Sequence, residues 1–180
     1  MLRRVKNEGL KLIGITDSGS VADHTIRAAQ IGYILSKLEK YDNSNEVCTI
    51  LIFSNLAETR IGNIHRVANR YLKVDRENVI KEQVEKLENI GKEIFNLWIQ
   101  VEKRNTKAGI IAKDAKILEH AVIAKEYLEK WFKEAQNWID NCVMFMQTES
   151  GRKLIKLLQK TNSNEWWKWL KKFNYEPPKK

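Results

Sequence analysis

The chain has 180 residues, enough for one ordinary domain, and its 43% hydrophobic and 31% charged content excludes a disordered protein. Eight Gly and two Pro exclude collagen-like and low-complexity architectures, and no apolar run approaches the roughly 20 residues that cross a bilayer. The net charge is +9, with nine Lys/Arg against three Asp/Glu after Gln147; that excess fits either an anionic partner or a solvated lysine face.

The N-terminal Met1-Leu2-Arg3-Arg4-Val5-Lys6 leads into no apolar stretch, so no signal peptide is expected. Residues 21–40 place Val21, Ile26, Ile31, Ile34, Leu35 and Leu38 near a 3.6-residue repeat, which predicts a helix with these residues inward. Asp42-Asn43-Ser44-Asn45 is loop-forming. Val47 to Leu56 is apolar enough for a buried strand or helix, and its helical surroundings favour a central helix. A short segment at 60–72 precedes a long helix over 76–104, capped by Asp75, with Val79, Ile80, Val84, Leu87, Ile90, Ile94 and Leu97 inward. Another helical run covers 107–135, with a turn expected near Ala115, and 136–147 continues it. Thr148 or Ser150 caps a helix to about Lys160, and Asn162-Ser163-Asn164-Glu165 resembles a capping box opening a final helix over 166–173. These elements predict one all-α bundle over 1–175 and a tail at 176–180. Cys48 and Cys142 suit small apolar core positions in a reduced, cytoplasmic protein.

Three histidines are present, and no H-E-x-x-H, Walker loop, G-x-G-x-x-G or C-x-x-C occurs. Three phrases carry more information. Ser20-Val21-Ala22-Asp23-His24, followed by Arg27-Ala28-Ala29, resembles the first metal-ligand helix of HD-domain phosphohydrolases of the 5′-deoxynucleotidase-like branch. Phe53-Ser54-Asn55-Leu56-Ala57-Glu58, running on through Gly62-Asn63 to His65, resembles the phrase F-H-D-L-A-E-x-x-x-G-D. Ala112-Lys113-Asp114-Ala115-Lys116-Ile117-Leu118-Glu119 resembles V-K-x-A-D-x-L-E. The resemblance spans about residues 8–170 and implies an HD-domain helical bundle, commonly a homodimer.

The departures fall on the chemistry. The resemblance implies a divalent metal such as cobalt, manganese or magnesium, held by two histidines and two aspartates. His24 keeps the first ligand position, but Ser54, Asn55 and Lys116 occupy the other three. Asn63 replaces a further active-site carboxylate, while Glu58, which the family uses to position or activate water, is retained. One imidazole and a neutral amide are a poor substitute for that ligand set, and a Lys116 ammonium would repel a cation. The expectation is therefore an HD fold with no metal and no hydrolysis, in which His24 and Lys116 hold a nucleotide or phosphate. An alternative keeps phosphohydrolase activity with Glu58, Asp114, His65 and Glu119; a collapsed pocket with Lys116 paired to Glu58 or Asp114 is the plainer outcome.

A second candidate site is the basic C-terminal surface. Arg152, Lys153, Lys156, Lys160, Lys168, Lys171 and Lys172 are interleaved with Trp166, Trp167 and Trp169, a pattern that suits nucleic-acid or protein contacts. Trp166, Leu170 and Phe173 also fit an ordinary core-facing stripe at i, i+4 and i+7.

Overall fold

The computed structural model describes residues 1–168 and 170. Lys171, Lys172, Trp169, Phe173 and the 176–180 tail lie outside the described residues. The helices are α1 (Val21–Leu38), α2 (Ser44–Phe53), α3 (Glu58–Ile61), α4 (Arg76–Val84), α5 (Glu88–Lys103), α6 (Lys107–Leu128), α7 (Gln136–Phe145), α8 (Glu149–Lys160) and α9 (Glu165–Lys168). Among the described residues there is no strand, only one isolated bridge between Lys6 and Ser20. Among the described residues no helix is long and apolar enough to cross a membrane.

Helix α6 is the axis of the fold, packed by α1, α2, α5, α7 and α8. Its buried positions are largely small: Ala108, Gly109, Ala112, Ala115, Ala121 and Ala124. A helix surrounded on most sides shows little amphipathic contrast, which explains why a turn was expected at Ala115. The helix runs unbroken past that residue and ends at Leu128. Close approach is visible at Gly109, where an added Cβ would lie 2.1 Å from the Gln100 carbonyl oxygen. The Thr106 side chain caps the same turn, accepting the Gly109 N–H.

The α1 helix opens on a full capping box. The Asp23 carboxylate accepts the Ser20 N–H at 2.8 Å, and the Ser20 hydroxyl accepts the Asp23 N–H. This fixes the first turn and so the direction of His24. The buried face differs from the expected one. Val21, His24, Thr25, Ala28, Gly32, Leu35 and Ser36 are buried, whereas Ile26, Ile34 and Leu38 are at least half exposed. Small residues won the inward face because α2 and α6 approach closely there; a Cβ on Gly32 would meet Leu51 at 2.3 Å. The α2 helix is the central helix expected, with Val47, Ile50 and Leu51 fully buried.

The long helix expected over 76–104 is two helices. A 3-10 turn at Glu85–Leu87 and a positive-φ Glu88 (φ 50°, ψ −119°) separate α4 from α5. The chain folds back so tightly that a Cβ on Gly91 would lie 2.2 Å from the Val84 carbonyl. Leu87 and Ile90, expected inward, are exposed at this corner. The core stripe expected at the C-terminus is also corrected: Trp166 and Leu170 are exposed.

Candidate ligand pocket

The three phrases converge on one cavity of about 570 Å³. His24 comes from the first turns of α1. Ser54 and Asn55 come from the turn after α2, Glu58 from the start of α3, and Lys116 from the middle of α6. His24, Asn55, Glu58, Asn63 and Lys116 all line the cavity. Ser54 is buried beside it, its hydroxyl turned back onto the Leu51 carbonyl.

The Lys116 ammonium donates to Asn55 Oδ1 at 2.6 Å, and the Asn55 amide donates onward to the Thr25 hydroxyl at 2.8 Å. No carboxylate lies within ion-pair distance of Lys116 among the described residues. Burial, reinforced by the neighbouring Lys113 ammonium, lowers its pKa to about 8. Glu58 is engaged elsewhere: the Asn63 amide donates to its carboxylate at 2.9 Å, and Asn63 Oδ1 accepts the Glu8 N–H. The pocket is therefore open, and Lys116 is paired with neither Glu58 nor Asp114.

Asp114 faces away from the cavity. It is fully buried, and Oδ2 accepts the N–H groups of Gln147 and Thr148 at the start of α8. It anchors the start of that helix. Asp114→Ala orphans two N–H groups and is expected to cost about 2–4 kcal/mol in urea unfolding, with Asp114→Asn costing less. Equal stability of all three proteins would remove this role.

A second group of side chains surrounds His24. Its Nδ1 pairs with Glu119, whose other oxygen takes the Arg27 guanidinium at 2.9 Å; Arg27 also reaches Glu126 at 2.8 Å. The rings of His24 and His120 stack with centroids 4.4 Å apart. Burial holds both imidazoles down to about 3; Lys116 and Arg27 act in the same direction on His24, and His24, Lys116 and Lys113 do so on His120, against Glu119. Both rings line the cavity, but His24 is only 4% exposed while His120 is partly exposed, which screens its charge more. His24 Nε2 is buried without a partner among the described residues. One ligand atom from each of His24, Glu119 and His120 falls within 4.8 Å of the others.

His65 also lines the cavity, its Nδ1 accepting the Ala68 N–H. Cys142 is a wall residue, and burial pushes its thiol up to about 11, which leaves it unreactive. Cys48 is half-buried, against the Ala29 carbonyl. The cavity brings in Arg66, Arg104, Lys113 and Trp138, which sequence reasoning missed. Only the spacing of Lys113, Lys116 and His120 on one face of α6 could have flagged part of this set.

Among the described residues, the C-terminal basic side chains form no such enclosure. Arg152, Lys153, Lys156 and Lys160 lie exposed on α8, with Lys168 exposed and Trp167 half-buried on α9. Lys153 pairs with Glu149 at 2.6 Å, and Arg152 donates to the Met146 carbonyl.

Comparison with known proteins agrees with the fold. The chain is 27% identical over 137 residues to a 5′-deoxynucleotidase of Dictyostelium discoideum, HDDC2, covering 70% of this chain and 72% of that protein. A structural-genomics crystal structure, APC5600, superposes with a TM-score of 0.76 at 24% identity, covering 92% of each chain. A conserved hypothetical protein from Pyrococcus furiosus superposes with a TM-score of 0.70 at 23% identity, covering 89% of this chain and 94% of that one. These structures share the fold. Residues 1–160 match the HD domain, and with so much of its length inside that match the chain belongs to the HD-domain family.

Proposed function

We propose that this HD-domain chain binds a nucleotide or other phosphorylated small molecule in the α1–α2–α6 pocket and does not hydrolyse it. One observation carries the reading: the Lys116 ammonium, bonded to Asn55 Oδ1 at 2.6 Å, stands among the positions that the resemblance assigns to metal ligands. An ammonium there opposes a divalent cation and attracts a phosphate. The neutral Asn55 amide and the inward-turned Ser54 hydroxyl are weak ligands for such a cation. The residues at these positions therefore do not fit the family's metal. Without it, no group in the pocket supplies the lowered water pKa on which metal-assisted hydrolysis depends.

The test is phosphate release from a panel of deoxynucleoside monophosphates with cobalt, manganese or magnesium, run beside equilibrium binding of the same nucleotides. Binding without release is expected, and Lys116→Ala weakens binding about tenfold or more, the loss of one charge-assisted contact. Robust release by the unchanged chain would sink the reading.

A second reading, retained hydrolysis, draws on the His24, Glu119 and His120 cluster. Two features oppose it. Stacked imidazoles keep their lone pairs in nearly parallel planes, which disfavours both rings ligating one ion. Both Glu119 oxygens are already engaged, by His24 and Arg27. Stoichiometric cobalt binding that disappears in His24→Gln would favour this second reading.

A further inference from the structure

The pocket is graded along α6. Lys113, Lys116 and His120 share one face of the helix, spanning about 10 Å at 1.5 Å per residue. Beyond Lys113, two guanidiniums meet at Phe145. Arg66 lies 4.6 Å over its ring, and Arg104 donates to its carbonyl at 3.4 Å. At the opposite end, Ile123 packs with Leu10, and Trp138 lies against that cluster. The cavity thus has a cationic end and an apolar, aromatic end.

The charge balance is unusual for a pocket built around one phosphate. Arg66, Arg104, Lys113 and Lys116 line the cavity, against Glu58 as the one carboxylate among the described lining residues. Glu102 approaches Lys113 only to 3.8 Å and is itself 42% exposed. A monophosphate carries about −1.5 to −2 near neutral pH, so it leaves this excess only partly compensated. Its oxygens also surround a single phosphorus, whereas the cations extend over successive turns of helix and onto two neighbouring loops. A chain of phosphates meets both requirements.

We propose that the pocket takes a nucleoside di- or triphosphate, its phosphates laid from Lys116 past Lys113 to Arg66 and Arg104, and its base against Trp138 and Ile123. This rests on the phosphate-binding reading above. It adds the number of phosphates and the direction in which the ligand lies. Guanidinium and ammonium groups offer charge-assisted bonds to phosphate oxygens, and the indole face offers a stacking surface for a base.

The test is calorimetric binding of AMP, ADP, ATP and tripolyphosphate to the full chain, at physiological salt and with chelator present. Affinity is expected to rise from AMP through ADP to ATP, by about 100-fold overall, since each added phosphate gains charge-assisted contacts. Lys113→Gln weakens ATP about tenfold or more and leaves AMP within twofold, while Lys116→Ala weakens both. Tripolyphosphate binds about tenfold or more weaker than ATP, because it has no base to stack. Lys156→Ala on α8, outside the cavity, changes nothing, and thermal melts confirm that the variants are folded. Equal affinity for AMP and ATP, both lost in Lys116→Ala, overturns the polyphosphate assignment and leaves the phosphate pocket standing. Equal affinity for tripolyphosphate and ATP overturns the base seat. An effect of Lys156→Ala as large as that of Lys113→Gln makes the attraction diffuse and overturns the pocket assignment. Failure of folded protein to bind any of the four overturns the underlying reading as well.

Discussion

Ser54→His, Asn55→Asp, Asn63→Asp and Lys116→Asp, introduced together, are expected to yield metal-dependent phosphate release from deoxynucleoside monophosphates. The scaffold is already in place. His24 is oriented by the Ser20–Asp23 capping box and by Glu119. The turn that carries Ser54 and Asn55 packs beside α6 closely enough for Asn55 to touch Lys116. Replacing that contact by two carboxylates removes an ammonium from the floor of the cavity and supplies anionic oxygen ligands. The cost is repulsion between the new carboxylates, and an Asp at position 63 would face Glu58, which Asn63 now holds at 2.9 Å. A divalent cation offsets that repulsion, so the variant should gain stability on adding cobalt or manganese while the unchanged chain does not. A metal contributes several kcal/mol to such a reaction, so release should exceed that of the unchanged chain by about 10³-fold or more. A folded, metal-binding variant that releases no phosphate would mean that more than the ligand set separates this chain from hydrolysis.

The ligand positions were legible because each lies inside a short phrase with its own local reason to exist. Ser20 and Asp23 cap α1, and Ser54 ends α2. A linear reading of those phrases brings His24, Asn55, Glu58 and Lys116 to one cavity without reference to distance. What it could not supply was the partner of each group. Lys116 has Asn55, Glu58 has Asn63, and Asp114 turns to the start of α8. These choices are made across more than one helix interface.

The fold was legible at its termini and poorly legible at its faces. Asp75, Thr148 and Ser20 cap helices as their residue types predict. The buried face of α1 was misjudged because Ile26 and Ile34 look like core residues, while Ala28, Gly32 and Ser36 do not. Burial followed the room available rather than side-chain size: Leu51 occupies the space beside Gly32. The break at Glu85–Leu87 had no proline or glycine to announce it; Glu88 takes a positive φ although it is a poor candidate for one. The cationic end of the pocket escaped notice for a similar reason. Arg66, Arg104 and Lys113 come from three separate parts of the chain, the segment after α3, the end of α5 and α6, and meet only at the cavity wall, where Phe145 touches both guanidinium groups.

Acid should destabilise this protein well before its carboxylates are titrated. His24 has an ordinary pKa of 6.5 when unfolded and about 3 when folded, chiefly because burial disfavours the imidazolium. Lys116 and Arg27 act in the same direction. A folded value below the unfolded one means that the unfolded chain binds the proton first. Stability is therefore fully present above about pH 6.5 and is lost as pH falls through that value towards 3, by about 1.4 kcal/mol per pH unit for one histidine. His120 adds to the slope with the same sign, though less, because its ring is partly exposed. Glu119 works the other way. Burial raises its carboxyl, so the folded state takes up that proton more readily, and the loss becomes shallower at the acid end. The steepest fall is expected between about pH 6.5 and 5, with a combined slope of about 1.4–2.7 kcal/mol per unit. Urea unfolding at pH 7, 6 and 5 measures it directly. His24→Gln should reduce the slope by about one proton, whatever it costs in absolute stability, because glutamine has nothing to titrate. A flat stability profile from pH 7 to 5 would mean that His24 accepts its proton in the folded state, with the Glu119 carboxylate as counter-charge, and that the buried cluster is an ion pair rather than a neutral imidazole beside two cations.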